Sequence, residues 1–184
     1  MKKIIIDPGH GGQDNGAAWG SGLDYLEEDD TNLDIAFYLQ YELALLGHNA
    51  ILTRNKDITV KLHERVHFSK IEGADLFISI HCDAFHNTTA KGMSAHVYTH
   101  ASQASKNIAS RIINQLNAYF PDHVNRGVKH SNFYVLRETK MPAVLVECEF
   151  ISNPGTRRFL KEPENKRLLA QALSVAINKH FSIK

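Results

Sequence analysis

His10 follows Asp7-Pro8-Gly9, His81 follows Phe77-Ile78-Ser79-Ile80, and Glu147 follows Ala143-Val144-Leu145-Val146. Between the first two lies an acidic run, Glu27-Glu28-Asp29-Asp30. Imidazole nitrogen and carboxylate oxygen are ordinary zinc ligands, and three protein ligands leave a fourth position open to water. Glu147 is a candidate for a further ligand, or for the base that takes a proton from metal-activated water. These residues are far apart in the chain. The chemistry therefore depends on a fold that collects them.

The surrounding segments read as such a fold. Lys3 to Asp7 is a short apolar run ending at Pro8-Gly9, as expected of a strand buried on both faces. Ala50–Thr53, Asp75–Ile80, Ala95–Thr99 and Ala143–Glu147 read as further strands, with Phe133–Leu136 as a short one. Helical spacing of apolar residues runs from Asn32 to Leu46, with Thr31 or Asp30 as the expected N-cap and Gly47 as the stop. Val60–Ser69, Ser102–Tyr119 and the segment from Pro163 read as three more helices. Alternating strands and helices predict one α/β domain over residues 1–184. Its mainly parallel, twisted sheet of about six strands carries helices on both faces. Ligands of such sheets bind at the carboxyl ends of the strands, where His10, His81 and Glu147 all fall. The connection from Pro8 to Asp30 is long for a compact domain, and long loops are usually functional.

Composition narrows the partners. The 184 residues carry 21 basic and 20 acidic side chains, which argues against a nucleic-acid or anionic-membrane partner. No apolar run reaches the roughly 20 residues of a membrane span. Met1-Lys2-Lys3 precedes too short an apolar stretch for a signal peptide. Two cysteines are too few for a disulfide framework, whereas 11 histidines direct attention to metal.

Several segments together resemble a known family. They are Asp7-Pro8-Gly9-His10-Gly11-Gly12, Glu28-Asp29-Asp30-Thr31-Asn32-Leu33, Phe77-Ile78-Ser79-Ile80-His81, and Val146-Glu147 with Phe150-Ile151-Ser152-Asn153. In order and spacing they are similar to the zinc-dependent N-acetylmuramoyl-L-alanine amidases of the type-3 class. Leu52-Thr53-Arg54, Asp57, Arg126-Gly127-Val128-Lys129 and Val135-Leu136-Arg137 extend the likeness. The resemblance implies that His10, Glu28 and His81 hold one Zn²⁺ and that Glu147 is the catalytic carboxylate. Glu28 is preferred to Glu27 because the family's ligand glutamate lies four residues before an Asn-Leu pair, here Asn32-Leu33. The implied reaction cleaves the amide between the lactyl group of N-acetylmuramic acid and L-alanine in bacterial peptidoglycan. Arg126 and Lys129 are the implied substrate contacts, and Asp83, itself a departure from the family pattern, is expected to alter the contacts made there. The expected protein is a monomeric catalytic domain with no separate wall-binding domain. Without a signal peptide it would reach the wall after phage or mother-cell lysis, or by secretion if a leader was trimmed.

Three positions depart from the family pattern. Glu149 stands where glycine is usual; on a continuing strand it would share Glu147's side and raise its pKa. Cys82 and Asp83 replace the small residue and asparagine that usually follow the second histidine.

Other signals compete. His63-Glu64-Arg65-Val66-His67 matches the H-E-x-x-H signature of metalloproteases, but no third ligand follows at a recognisable spacing, so a solvated helix face is expected. Gly9, Gly11, Gly12 and Gly16 match no phosphate-binding pattern and are expected to let the chain turn and hold His10 outward. Cys82 and Cys148, each one residue past a site residue, should face away from the site as free thiols. The remaining histidines are expected on the surface or on helix faces. A zinc peptidase acting within wall peptides and a non-hydrolytic wall-binding module are the alternative functions.

Overall fold

The computed structural model describes residues 1–182. In chain order the elements are β1 (Lys3–Pro8), β2 (Ala18–Trp19), a 3₁₀ turn (Gly22–Asp24), β3 (Leu26–Glu27), α1 (Glu28–Leu45), β4 (Asn49–Leu52) and α2 (Leu62–Ile71). Then follow β5 (Leu76–Asp83), β6 (Met93–Tyr98), α3 (Gln103–Tyr119), β7 (Asn125–Ser131), α4 (Tyr134–Glu138), β8 (Ala143–Phe150), α5 (Pro154–Lys161) and α6 (Pro163–Ser182). Six strands form one sheet in the order β4-β1-β5-β8-β6-β7. The first four run parallel; β6 is antiparallel to β8, and β7 follows β6. The expected α/β sheet of six mainly parallel strands is what the chain forms.

Side chains alternate across this sheet and meet a layer on each face. Ile4, Ile6, Ile78, Ile80, Val144 and Val146 pack under the helical layer of α1, α3 and α6. Ile5, Phe77 and Leu145 point the other way, against Val66 of α2 and Val135 and Leu136 of α4. Burial on both faces is why these strands read as unbroken apolar runs.

Three expectations need correction. The first long helix starts at Glu28, one turn before the expected caps, and Thr31 is already helical, its hydroxyl donating to the Glu27 carbonyl at 2.8 Å. An acidic first turn suits the positive end of the helix dipole, so the three carboxylates belong inside. Gly47 does stop this helix, at φ 78°. Phe133–Leu136 is not a strand; Tyr134–Glu138 is a one-turn helix laying Val135 and Leu136 on the sheet. So short an apolar run does not separate the two periods. The sixth strand is instead β7, whose sequence Asn-Arg-Gly-Val-Lys-His-Ser has no apolar alternation because it lies at the sheet edge.

At the carboxyl end of β1 a buried ion pair ties three elements together. Arg65 of α2 donates to Asp7 Oδ1 at 2.7 Å, and both residues are almost wholly buried. Asp7 also accepts from Thr53 (2.6 Å) and Ser79 (2.8 Å). Removing one partner of such a pair strands the other charge. Arg65→Ala should therefore lose about 3–5 kcal/mol in urea denaturation, and Asp7→Asn/Arg65→Met should recover part of that loss.

Candidate metal centre and its cleft

Beyond Pro8 the chain leaves the sheet in a turn that two buried guanidinium groups grip. Arg54 donates to the carbonyls of Pro8 (3.1 Å), Gly9 (2.9 Å) and Asp29 (2.7 Å). Arg65 donates to those of Pro8 and His10, both at 2.7 Å. His10 itself sits at φ 60°, a left-handed conformation that non-glycine residues seldom adopt. The held carbonyls fix it there, with the ring set between Asp14 and Glu28.

Glycines make the room. A Cβ on Gly9 would lie 2.2 Å from the His81 ring. One on Gly16, itself at φ 66°, would lie 2.5 Å from Glu28 Oε2 and 2.6 Å from the His10 ring. These glycines therefore serve close approach as well as turning.

His81 ends the regular part of β5, directly beside Glu147 of β8. Glu28 is the first residue of α1, and Asn32, one turn later, donates to its Oε1 at 3.3 Å. His10 Nε2 lies 3.3 Å and His81 Nδ1 2.9 Å from that same oxygen. The two rings meet edge-on, with centroids 5.0 Å apart. One ligand atom from each of His10, Glu28 and His81 falls within 4.8 Å of the others. Ligands about 2.1 Å from a tetrahedral ion stand about 3.4 Å apart, so this donor set fits a divalent cation such as zinc. Glu27 is turned away, accepting from Tyr25 (2.7 Å) and Asn15 (2.6 Å). The fit has a second sign: Glu147 faces the same cleft with Oε2 buried and without a hydrogen-bond partner.

The charges respond to this crowding. Burial alone would lower the His10 imidazolium, but the Glu28 and Asp14 carboxylates outweigh it and raise it to about 9. Burial disfavours ionised Glu28, yet hydrogen bonds from His10 and His81 hold its carboxyl well below the usual range. Glu147 rises to about 7, chiefly through burial; Asp83 and Glu28 add repulsion while His81 opposes it.

The cleft encloses about 560 Å³ and is walled by Thr59–Leu62, by Phe133–Val135 and by the floor residues His81, Asp83 and Glu147. Asp83 thus lies within it, its pKa raised mainly by burial against the pull of Arg126 and Lys129. Arg126 and Lys129 stand back on β7. Arg126 lies 4.8 Å over the Phe150 ring and donates to the Lys91 carbonyl, outside the cleft walls. Arg54, Arg65, Asp14 and Asn32 are parts of the site that the sequence reading did not identify as such. An acid four residues after His10 in a glycine loop was the available signal for Asp14.

Glu149 behaves otherwise than expected. A bulge between His81 and Asp83 breaks the β5–β8 register, so the alternation that would put Glu149 beside Glu147 is lost. Its carboxylate is buried elsewhere, accepting from Gly92 N (2.6 Å), Phe150 N (3.1 Å) and His123 (2.8 Å). His123 and His96 are half-buried rather than fully exposed. His96 is held between Ser94 and Ser131, and burial lowers it to about 4. Cys82 and Cys148 face the helical layer as buried free thiols, as alternation required. His63 and His67 are solvent-exposed on α2, and among the described residues the metal-compatible trio is His10, Glu28 and His81.

A doubly covered, mostly parallel sheet that brings two imidazoles and a carboxylate together beside a buried glutamate is an α/β fold with a candidate metal site at its strand ends. Residues 4–179 match the family model described as N-acetylmuramoyl-L-alanine amidase, and the chain belongs to that family. It is 40% identical over 171 residues to the N-acetylmuramoyl-L-alanine amidase LytC of Bacillus subtilis, covering 92% of this chain and 34% of that one. It is 36% identical over 181 residues to the probable cell wall amidase LytH of Staphylococcus aureus, covering 98% of this chain and 59% of that one. The chain thus spans only part of the length of both relatives. The crystal structure of an N-acetylmuramoyl-L-alanine amidase from Clostridium difficile 630 superposes with a TM-score of 0.94 at 30% identity, covering 100% of this chain and 98% of that one.

The raised Glu147 pKa has a consequence for stability. The unfolded chain ionises this carboxyl near 4.5 and the folded chain near 7, so stability falls as pH rises through that window. In chelator-treated protein Glu147→Gln should match wild type at pH 4 and exceed it by roughly 3 kcal/mol at pH 8. Chemical denaturation at the two pH values measures the difference.

Proposed function

We propose that this chain hydrolyses the amide joining the lactyl group of N-acetylmuramic acid to L-alanine in peptidoglycan, with one zinc ion held by His10, Glu28 and His81. The observation that carries this reading is the convergence of those three donors beside buried Glu147, in a chain of the amidase family. Bound there, zinc supplies Lewis-acid polarisation of a carbonyl and lowers the pKa of water toward about 7.

The protein's own groups do the remainder. Glu147, buried in the cleft with one oxygen unpartnered, accepts a proton from the attacking water and returns it to the departing alanine nitrogen. Partial enclosure of the cleft strengthens these interactions by excluding bulk water. Asp83, which lines the cleft, would accept N–H groups of the stem peptide, and Arg126 and Lys129, farther along the sheet edge, would attract its carboxylates. The chain acts as a monomeric catalytic domain on the bacterial wall, which it reaches by cell lysis or by secretion. No helix among the described residues is long and apolar enough to cross a membrane.

Mass spectrometry of digested peptidoglycan tests the reaction: stem peptides with a free N-terminal L-alanine and uncut glycan are expected. Fragments cut within the peptide would replace the amidase by a peptidase, and wall binding without products would leave a binding module. Glu147→Gln should bind one zinc as wild type does while losing about 10²–10⁴-fold in rate. Native turnover by that variant would remove Glu147 from the chemistry.

A further inference from the structure

We propose that Asp14 is a positioning residue that sets which nitrogen of His10 faces the metal site. The inference rests on the reading of His10, Glu28 and His81 as ligands. His10 Nε2 points at the shared Glu28 oxygen, while Nδ1, on the far side of the ring, lies 2.9 Å from Asp14 Oδ2. An ionised carboxylate only accepts hydrogen bonds. That contact commits Nδ1 to the carboxylate, and Nε2 is the nitrogen left to face the ion.

Asp14 is itself held by local backbone. Its Oδ1 accepts from Gly16 N at 3.1 Å, and its main chain exchanges two hydrogen bonds with Gly11, at 2.7 and 3.3 Å. The segment from His10 to Gly16 thereby closes on itself and returns the carboxylate to the ring four residues upstream. His81 contrasts with this: its Nδ1 is the atom facing Glu28, and its ring is placed by packing on Gly9. Two imidazoles meet one oxygen through different nitrogens, and His10 is the one whose outer nitrogen is addressed by a carboxylate. Such partners of ligating histidines raise metal affinity by about 10–100-fold.

The test uses the whole chain. Competition with a chromophoric chelator measures zinc affinity for wild type, Asp14→Ala and Asp14→Asn, with thermal melts of the metal-free proteins as the folding control. Asp14→Ala should bind zinc about 10–100-fold more weakly with a melt close to wild type. Asp14→Asn, which keeps an acceptor oxygen, should fall between the two. In cadmium-loaded, ¹⁵N-labelled protein the coupling should identify Nε2 as the ligating atom of His10, with a slowly exchanging Nδ1–H that Asp14→Ala makes fast. A purely structural role would leave the protected Nδ1–H in place. Equal zinc affinity in all three proteins, or an unchanged Nδ1–H exchange rate, overturns the role of Asp14. A wild-type chain that takes up no zinc overturns the ligand assignment as well, and is recognised by its failure before any variant is made.

Discussion

The carbonyl groups of Pro8, Gly9 and His10 leave the sheet where no strand can pair with them, and two buried arginines take over that pairing. Orphaned buried carbonyls are costly, and guanidinium groups offer several donors in a rigid fork. Their charges are stabilised in turn by Asp7, by carbonyl oxygens and by the hydroxyl network from Thr53 and Ser79. Everything at the sheet edge follows from this grip. It fixes a left-handed histidine, aims the long loop toward α1, and connects α2 and β4 to the end of β1.

Glu28 is the counterpart of that turn. A carboxylate this buried would be expelled or protonated without partners. Two imidazoles, the Asn32 amide and the backbone N–H groups of Ala17 and Cys82 supply them. Starting α1 at Glu28 also places the charge at the positive end of the helix dipole. Glu147 lies one strand away under the opposite regime, buried with an unpartnered oxygen and shifted toward neutrality. Two glutamates in one cleft are thus driven apart in acidity, one toward permanent charge and one toward proton exchange. That separation suits a ligand beside a base.

The motif with the strongest local signature contributes differently from its pattern. His63 and His67 of the H-E-x-x-H match face solvent, whereas Arg65 between them reaches the carbonyls under His10. Helical spacing puts the two histidines on one face, and only the packing of α2 against the sheet decides that this face looks outward. Glu149 makes the same point on a strand. Simple alternation sends it into the cleft, and the bulge after Glu147 sends it to Gly92 and His123 instead.

Local composition was sufficient for the α/β class, for the buried strands and for the positions of His10, His81 and Glu147, because doubly buried strands are unbroken apolar runs and their ends are where polar residues begin. The choice of Glu28 over Glu27 came from register against a known family; in the structure Glu27 is turned to Tyr25 and Asn15. The edge strand β7 and the one-turn α4 were not legible, since an edge strand needs no apolar alternation and a run of four apolar residues fits either period. Tertiary structure alone decided which carboxylate is stripped of water, which arginines hold the turn, and which of 11 histidines meet one oxygen. Those outcomes depend on burial and on distances across elements far apart in the chain, and no spacing along the sequence encodes either.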